Sequence, residues 1–218
     1  MTQSDSAEAR RIALENLFHT SPVVPVITIE RADDAVPLAE ALIGGGIQAV
    51  EITLRTPVAW EAAKAILARV PKAIVGIGTV LTADDLAKAQ DLGAAFALSP
   101  GCTPALLDAA STCNLPFVPG IATASDLMAA VTRGFDIVKF FPAVPAGGIP
   151  VLKALSGPFP TARFCPTGGI SEADAEDWLA LPNVLAIGGS WIAPSSDIKA
   201  GAWAAITERA RRLTQAGK

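Results

Sequence analysis

The chain has 218 residues, 51% of them hydrophobic and 17% charged, with a formal net charge of −4. That length suits one domain or two small ones, including a single α/β barrel, and buries enough core to fold without a disulfide or a metal. The acidic balance excludes a sequence-independent grip on nucleic acid, which needs a basic face.

The chain opens on MTQSDSAEARRIALENL. This stretch is polar and charged and predicts a leading helix over roughly residues 6–19. It lacks the apolar run of a signal peptide, and no later stretch reaches membrane-spanning length. The expectation is a cytoplasmic protein with no membrane or nucleic-acid partner. Cys102, Cys113 and Cys165 form no CxxC pair and are odd in number. They read as reduced core thiols.

Eight short runs rich in Val, Ile and Phe follow, most bounded by Gly or Pro. They predict strands at Val23–Ile29, Ala49–Leu54, Ile74–Val80, Phe96–Ser99, Phe117–Pro119, Ile137–Phe141, Arg163–Thr167 and Val184–Gly188. Between them lie helical patterns such as Asp33–Gly44, Thr82–Gly93, Thr123–Gly134 and Ser171–Leu181. Thr82 is an N-cap candidate, and most of these stretches stop at glycine. Strand alternating with helix implies parallel strands joined by helical crossovers. No linker or low-complexity stretch divides the chain. The expected fold class is α/β, a single (β/α)8 TIM barrel domain over residues 1–218 with an N-terminal helix. An open doubly wound sheet is the main rival. In such a barrel the site lies at the C-terminal ends of the strands, and phosphate often binds after the last two.

Barrel strands are buried on both faces, so a charge inside one needs a reason. The second strand reads AVEITLRT. Alternation puts Glu51, Thr53 and Arg55 on one face and Val50, Ile52 and Leu54 on the other. The apolar set suits the helix layer, so Glu51 and Arg55 are expected to point inward. The sixth strand reads DIVKFFP, with Lys139 on the face of Ile137 and Phe141. An amine among Val and Phe loses hydration, which disfavours the ammonium, and a neutral amine can attack a ketone. Glu51 could then shuttle protons. A purely structural Lys139–Glu51 ion pair is the competing explanation.

The third strand ends in GIGTV. The parity that would turn Val75 and Ile77 inward would also turn Thr79 inward, where its hydroxyl and the Arg55 fork could share one carboxylate. Ser99-Pro100-Gly101 reads as a turn, with a wall of the pocket as a minor addition. Thr167-Gly168-Gly169, leading into SEADAED, and Gly188-Gly189-Ser190 follow the last two strands. Glycines let backbone N–H groups approach an anion, and a helix N-terminus favours one. Tight turns are the plainer explanation of either loop, but the pair together reads as a phosphate site. His19 is the only histidine and is expected at the surface, so metal chemistry is not anticipated.

Taken together, VVPVI, EITLRT, GIGTV, LSPG, PFVPGIATASD, VKFFPA, PTGGI and IGGSW resemble the 2-keto-3-deoxy-6-phosphogluconate (KDPG) aldolases of the Entner–Doudoroff pathway, over roughly residues 9–212. The resemblance implies that Lys139 carries a Schiff base with pyruvate and that Glu51 is the general acid/base. It implies that Arg55 and Thr79 contact the pyruvate carboxylate, and that Pro100 and Phe141 line the pocket. It further implies that Thr167 helps choose the sugar stereoisomer and that Gly168, Gly169, Gly189 and Ser190 hold phosphate. The family is a homotrimer, often cleaves 4-hydroxy-2-oxoglutarate as well, and needs no cofactor. Three alternatives stay open: a galactonate-type aldolase of the same family, a phosphosugar isomerase or epimerase, and a non-catalytic sugar-phosphate binder.

Overall fold

The computed structural model describes residues 3–216. Residues 1, 2, 217 and 218, the ends of the expected 1–218 domain, lie outside the described residues. The leading helix α1 spans Gln3–Thr20 and has His19 exposed in its last turn. The strands are β1 (Val23–Ile27), β2 (Ala49–Thr53), β3 (Ile74–Gly78), β4 (Phe96–Leu98), β5 (Phe117–Val118), β6 (Gly120–Ile121), β7 (Ile137–Phe140), β8 (Arg163–Phe164) and β9 (Ile187–Gly189). Helices separate most of them, as the alternating pattern requires. The Ala83–Leu92 and Ala124–Val131 helices each start on a capping box, Thr82 with Asp85 and Thr123 with Asp126. Each box satisfies donors that a helix start leaves without an intrahelical partner.

All strand pairs are parallel. One curled sheet runs β5-β4-β3-β2-β1-β9 and a second runs β6-β7-β8. The expected fifth strand is split at Pro119. Its first half pairs with β4 and its second half, beyond the expected end, pairs with β7. The expected strand at Arg163–Thr167 is laddered only over Arg163–Phe164. Pro166 offers no N–H, and Thr167 rejoins through a single parallel bridge to Gly188. Phe164 likewise bridges Val184.

Two apolar layers sort the side chains. Val50, Ile52, Val75, Ile77, Val138 and Phe140 join the larger cluster with helix residues such as Ala62, Ile66, Leu86 and Leu127. Val24, Ala49, Phe96, Leu98, Val118, Ile137, Cys165 and Ala186 form a smaller cluster that takes residues from both sheets, with Leu14 and Phe18 of α1. The Phe18 and Phe96 rings meet edge to face, 6.4 Å between centroids. Of these, Val24, Ala49, Phe96 and Ile137 come from the N-terminal halves of their strands, and Ala186 just precedes β9. Helix α1 therefore covers that end and leaves the C-terminal ends for a site. The expected inward parity of Val75 and Ile77 is corrected here. They face the helices, and Gly76 and Gly78 take the inner positions, because the ring of Phe96 and the side chain of Glu51 occupy the room beside them.

Candidate active site

Glu51 is the third residue of β2 and Lys139 the third of β7, and both lie on the inner face. Their parity follows from Val50, Ile52, Val138 and Phe140 packing outward. Lys139 Nζ donates to Glu51 Oε1 at 2.8 Å, with 3% and 1% of the two residues exposed. This is a charge-assisted hydrogen bond shut off from bulk water, where it is strong and where loss of either partner is costly. Glu51 Oε2 accepts no hydrogen bond from the described residues. Lys139 Nζ also sits 5.6 Å from the centroid of the half-buried Phe141 ring. Cys165 is buried beside the pair, and that burial pushes its thiol well above the ordinary range, with Lys139 partly opposing.

The neighbours are held by backbone contacts. Thr53, two residues beyond Glu51 on the same face, donates its hydroxyl to the Ile27 carbonyl at 2.8 Å, so it accepts from Thr28 at 3.0 Å. Gly120 stands opposite Lys139 in the ladder. A Cβ there would collide with Pro100 and lie 2.5 Å from the Gly101 nitrogen. The Ser99-Pro100-Gly101 turn thus packs against Gly120 of β6, the strand paired with the lysine strand, and Ser99 Oγ accepts from the Gly120 N–H at 3.1 Å. Thr167 is buried, its N–H donates to the Phe140 carbonyl at 2.9 Å, and its side chain lies against Gly188. Gly168 and Gly169 both have positive φ, 102° and 83°, a backbone that only glycine adopts freely. Gly168 packs on Phe141 and Gly169 on Val144.

The structure therefore brings Lys139, Glu51, Phe141, Pro100, Thr167 and Gly168 into one chain of contacts. Thr79 follows Gly78, half-buried, and its φ of 62° takes it out of the strand. Strand parity does not place it. Arg55 is exposed in the turn that follows β2, so the expected inward strand position is corrected. The strand ends at Thr53 and the chain bends at Leu54. Arg55 makes no hydrogen bond or ion pair with the described residues. Gly189 is buried at the end of β9, under the Trp191 ring, and Ser190 is exposed just beyond it. The glycine loop after β8 does not open a long helix. Residues 172–174 form a turn, and only Ala175–Leu179 is helical. Sequence reasoning missed Gly78 and Gly120. Their signal was a glycine at an inward position beside a charged strand residue: Gly120 pairs with Lys139 itself, and Gly78 with Thr53, two residues beyond Glu51 on the same face. Among the described residues no helix is long and apolar enough to cross a membrane.

A family model for aldolases, described as KDPG and KHG aldolase, matches residues 14–209. The KHG/KDPG aldolase of Escherichia coli K12 is 48% identical over 208 residues, covering 95% of this chain and 98% of that protein. The 2-dehydro-3-deoxy-phosphogluconate aldolase of Pseudoalteromonas atlantica is 48% identical over 202 residues, covering 93% and 94%. The crystal structure of the Legionella pneumophila KDPG aldolase superposes with a TM-score of 0.89 at 48% identity, covering 91% of this chain and 97% of that one. In that structure pyruvate is captured at low pH as a covalent carbinolamine intermediate.

Proposed function

This chain belongs to the KDPG and KHG aldolase family, and on that premise we propose the reaction that its buried amine performs. It is a class I aldolase, a carbon–carbon lyase that cleaves 2-dehydro-3-deoxy-6-phosphogluconate to pyruvate and glyceraldehyde 3-phosphate through a lysine Schiff base. It also cleaves 4-hydroxy-2-oxoglutarate. The observation that carries the reading is the buried 2.8 Å contact between Lys139 Nζ and Glu51 Oε1.

Lys139 gives a proton to Glu51 and attacks C2 of the keto acid, forming a carbinolamine. Glu51 returns the proton to the C2 hydroxyl, water leaves, and an iminium remains. The positive nitrogen is an electron sink. As the C4 hydroxyl loses its proton to Glu51, the C3–C4 pair flows to nitrogen, the aldehyde departs and an enamine is left. Protonation at C3 and addition of water to the iminium then release pyruvate and restore the amine. Glu51 Oε2 is the oxygen left open to handle these protons. Arg55, which makes no hydrogen bond or ion pair with the described residues, and Thr79 take the pyruvate carboxylate. Pro100 and Phe141 wall the pocket, Thr167 reads the C4 stereocentre, and Gly168, Gly169, Gly189 and Ser190 hold the phosphate. No cofactor takes part.

The parallel strands belong to one closed (β/α)8 barrel in a single domain. Support comes from the split at Pro119, which hands the chain from one sheet to the other, and from the bridges of Phe164 to Val184 and Thr167 to Gly188 across the remaining gap. The protein is a homotrimer, as the family resemblance implies, and works in the cytoplasm. Coupled assays on three keto acids test the substrate: the gluconate-derived phosphate, its galactonate-derived epimer and 4-hydroxy-2-oxoglutarate. The gluconate-derived compound gives the highest kcat/KM. A preference for the epimer contradicts the role of Thr167, and no pyruvate from any of the three contradicts the function.

A further inference from the structure

We propose that Gly78 is a positioning residue for the cleavage: its missing side chain is the space through which the Glu51 carboxylate reaches Lys139. The inference rests on the role of Glu51 as acid/base given above. Gly78 ends β3 opposite Thr53, and its carbonyl accepts the Leu54 N–H at 2.9 Å. The backbone is thus fixed against the strand that carries Glu51. A Cβ at Gly78 would collide with Glu51 Oε1 and stand 2.6 Å from both Cδ and Cγ. Carbon atoms in contact sit about 3.5–4.0 Å apart, so carboxylate and methyl cannot share the site. Oε1 is the atom that receives Lys139 Nζ. Gly78 is not among the residues of positive φ, so what it supplies is room rather than backbone freedom.

Gly76 gives an internal control. It lies on the same face of the same strand, two residues earlier, and a Cβ there would overlap the Phe96 ring and lie 2.7 Å from its Cδ2. Both glycines exist for close approach, one to a core ring and the other to the acid/base.

The test measures turnover, pyruvate KM and thermal midpoint for Gly78→Ala, Gly76→Ala, Glu51→Gln and the Gly78→Ala/Glu51→Gln double variant. Gly78→Ala loses kcat by ~10²–10⁴, the range for removing general acid/base catalysis, while KM changes little. The double variant is no slower than Glu51→Gln alone, because there is no longer a carboxylate for the added methyl to displace. Gly76→Ala lowers the midpoint but keeps kcat within a few-fold. Wild-type kcat in Gly78→Ala, or losses that multiply in the double variant, overturns the inference. Wild-type turnover by Glu51→Gln instead overturns the role of Glu51 itself. If Gly78→Ala folds poorly, Gly78→Ala/Glu51→Ala decides the matter. Removing the colliding side chain restores the midpoint to that of Glu51→Ala, and a persisting deficit refutes the proposed contact.

Discussion

Lys139 and Glu51 stand 88 residues apart in the chain and 2.8 Å apart in space, on the inner faces of strands from two different sheets. Each would be a buried lone charge without the other. The fold has to bring β2 and β7 face to face for either to be tolerated, so the pair records the curvature of the whole sheet arrangement.

That mutual dependence has a thermodynamic signature. Lys139→Met leaves Glu51 buried without a partner and costs about 3–5 kcal/mol of stability. Lys139→Met/Glu51→Leu, which removes both charges, regains most of that loss although it is inactive. Urea unfolding of wild type and the two variants measures this. A double variant less stable than the single one contradicts it.

Arg55 tests a different term. It is exposed and makes no ion pair or hydrogen bond with the described residues, so its removal leaves stability within about 0.5 kcal/mol. Arg55→Lys nevertheless raises KM for the keto acid, because an ammonium cannot reproduce a bidentate grip on a carboxylate. Steady-state kinetics with an unfolding curve separate the two effects. An unchanged KM removes Arg55 from the site.

Thr79 holds a φ of 62°, which costs a β-branched residue about 1–2 kcal/mol relative to the right-handed region. Glycine takes that conformation freely but loses more chain entropy on folding. Thr79→Gly therefore keeps or slightly raises the melting temperature while weakening pyruvate binding through loss of the hydroxyl. A clear drop in melting temperature, or an unaltered pyruvate affinity, argues against a strained binding residue.

Much of this was legible in the sequence where charge broke an apolar run. Glu51 and Lys139 stand out because a charge inside a strand buried on both faces needs a reason, catalytic or as an ion pair, and their outward neighbours Val50, Ile52, Val138 and Phe140 fix the parity. The third strand was misread for the converse reason. With both faces of the sheet apolar, Val75 and Ile77 fit either layer. What chose the outer one was the bulk of Phe96 and Glu51 against Gly76 and Gly78, which is a long-range fact. The expected strand at Arg163–Thr167 is too long because Pro166 interrupts its ladder, and the expected fifth ends too early because pairing resumes past Pro119 at Gly120–Ile121. The Ser171–Leu181 helix shrank to Ala175–Leu179, its start taken up by a turn.

Cys165 adds a pH dependence. Burial raises its thiol above the unfolded value of 9.0. A group raised on folding stabilises the native state fully below its unfolded value. That stabilisation is lost as pH climbs past it, since only the unfolded chain then ionises. Between pH 8 and pH 10 the wild type thus loses more unfolding free energy than Cys165→Ala does. Equal losses in paired urea titrations would show that the thiol is not shielded in the native state.

The covalent step is tested most directly by borohydride reduction in the presence of pyruvate, followed by peptide mass spectrometry. Wild-type protein gains one reduced pyruvate adduct, mapped to Lys139, and loses activity in proportion, while Lys139→Ala gains none. An adduct on another lysine, or equal trapping by Lys139→Ala, contradicts the account.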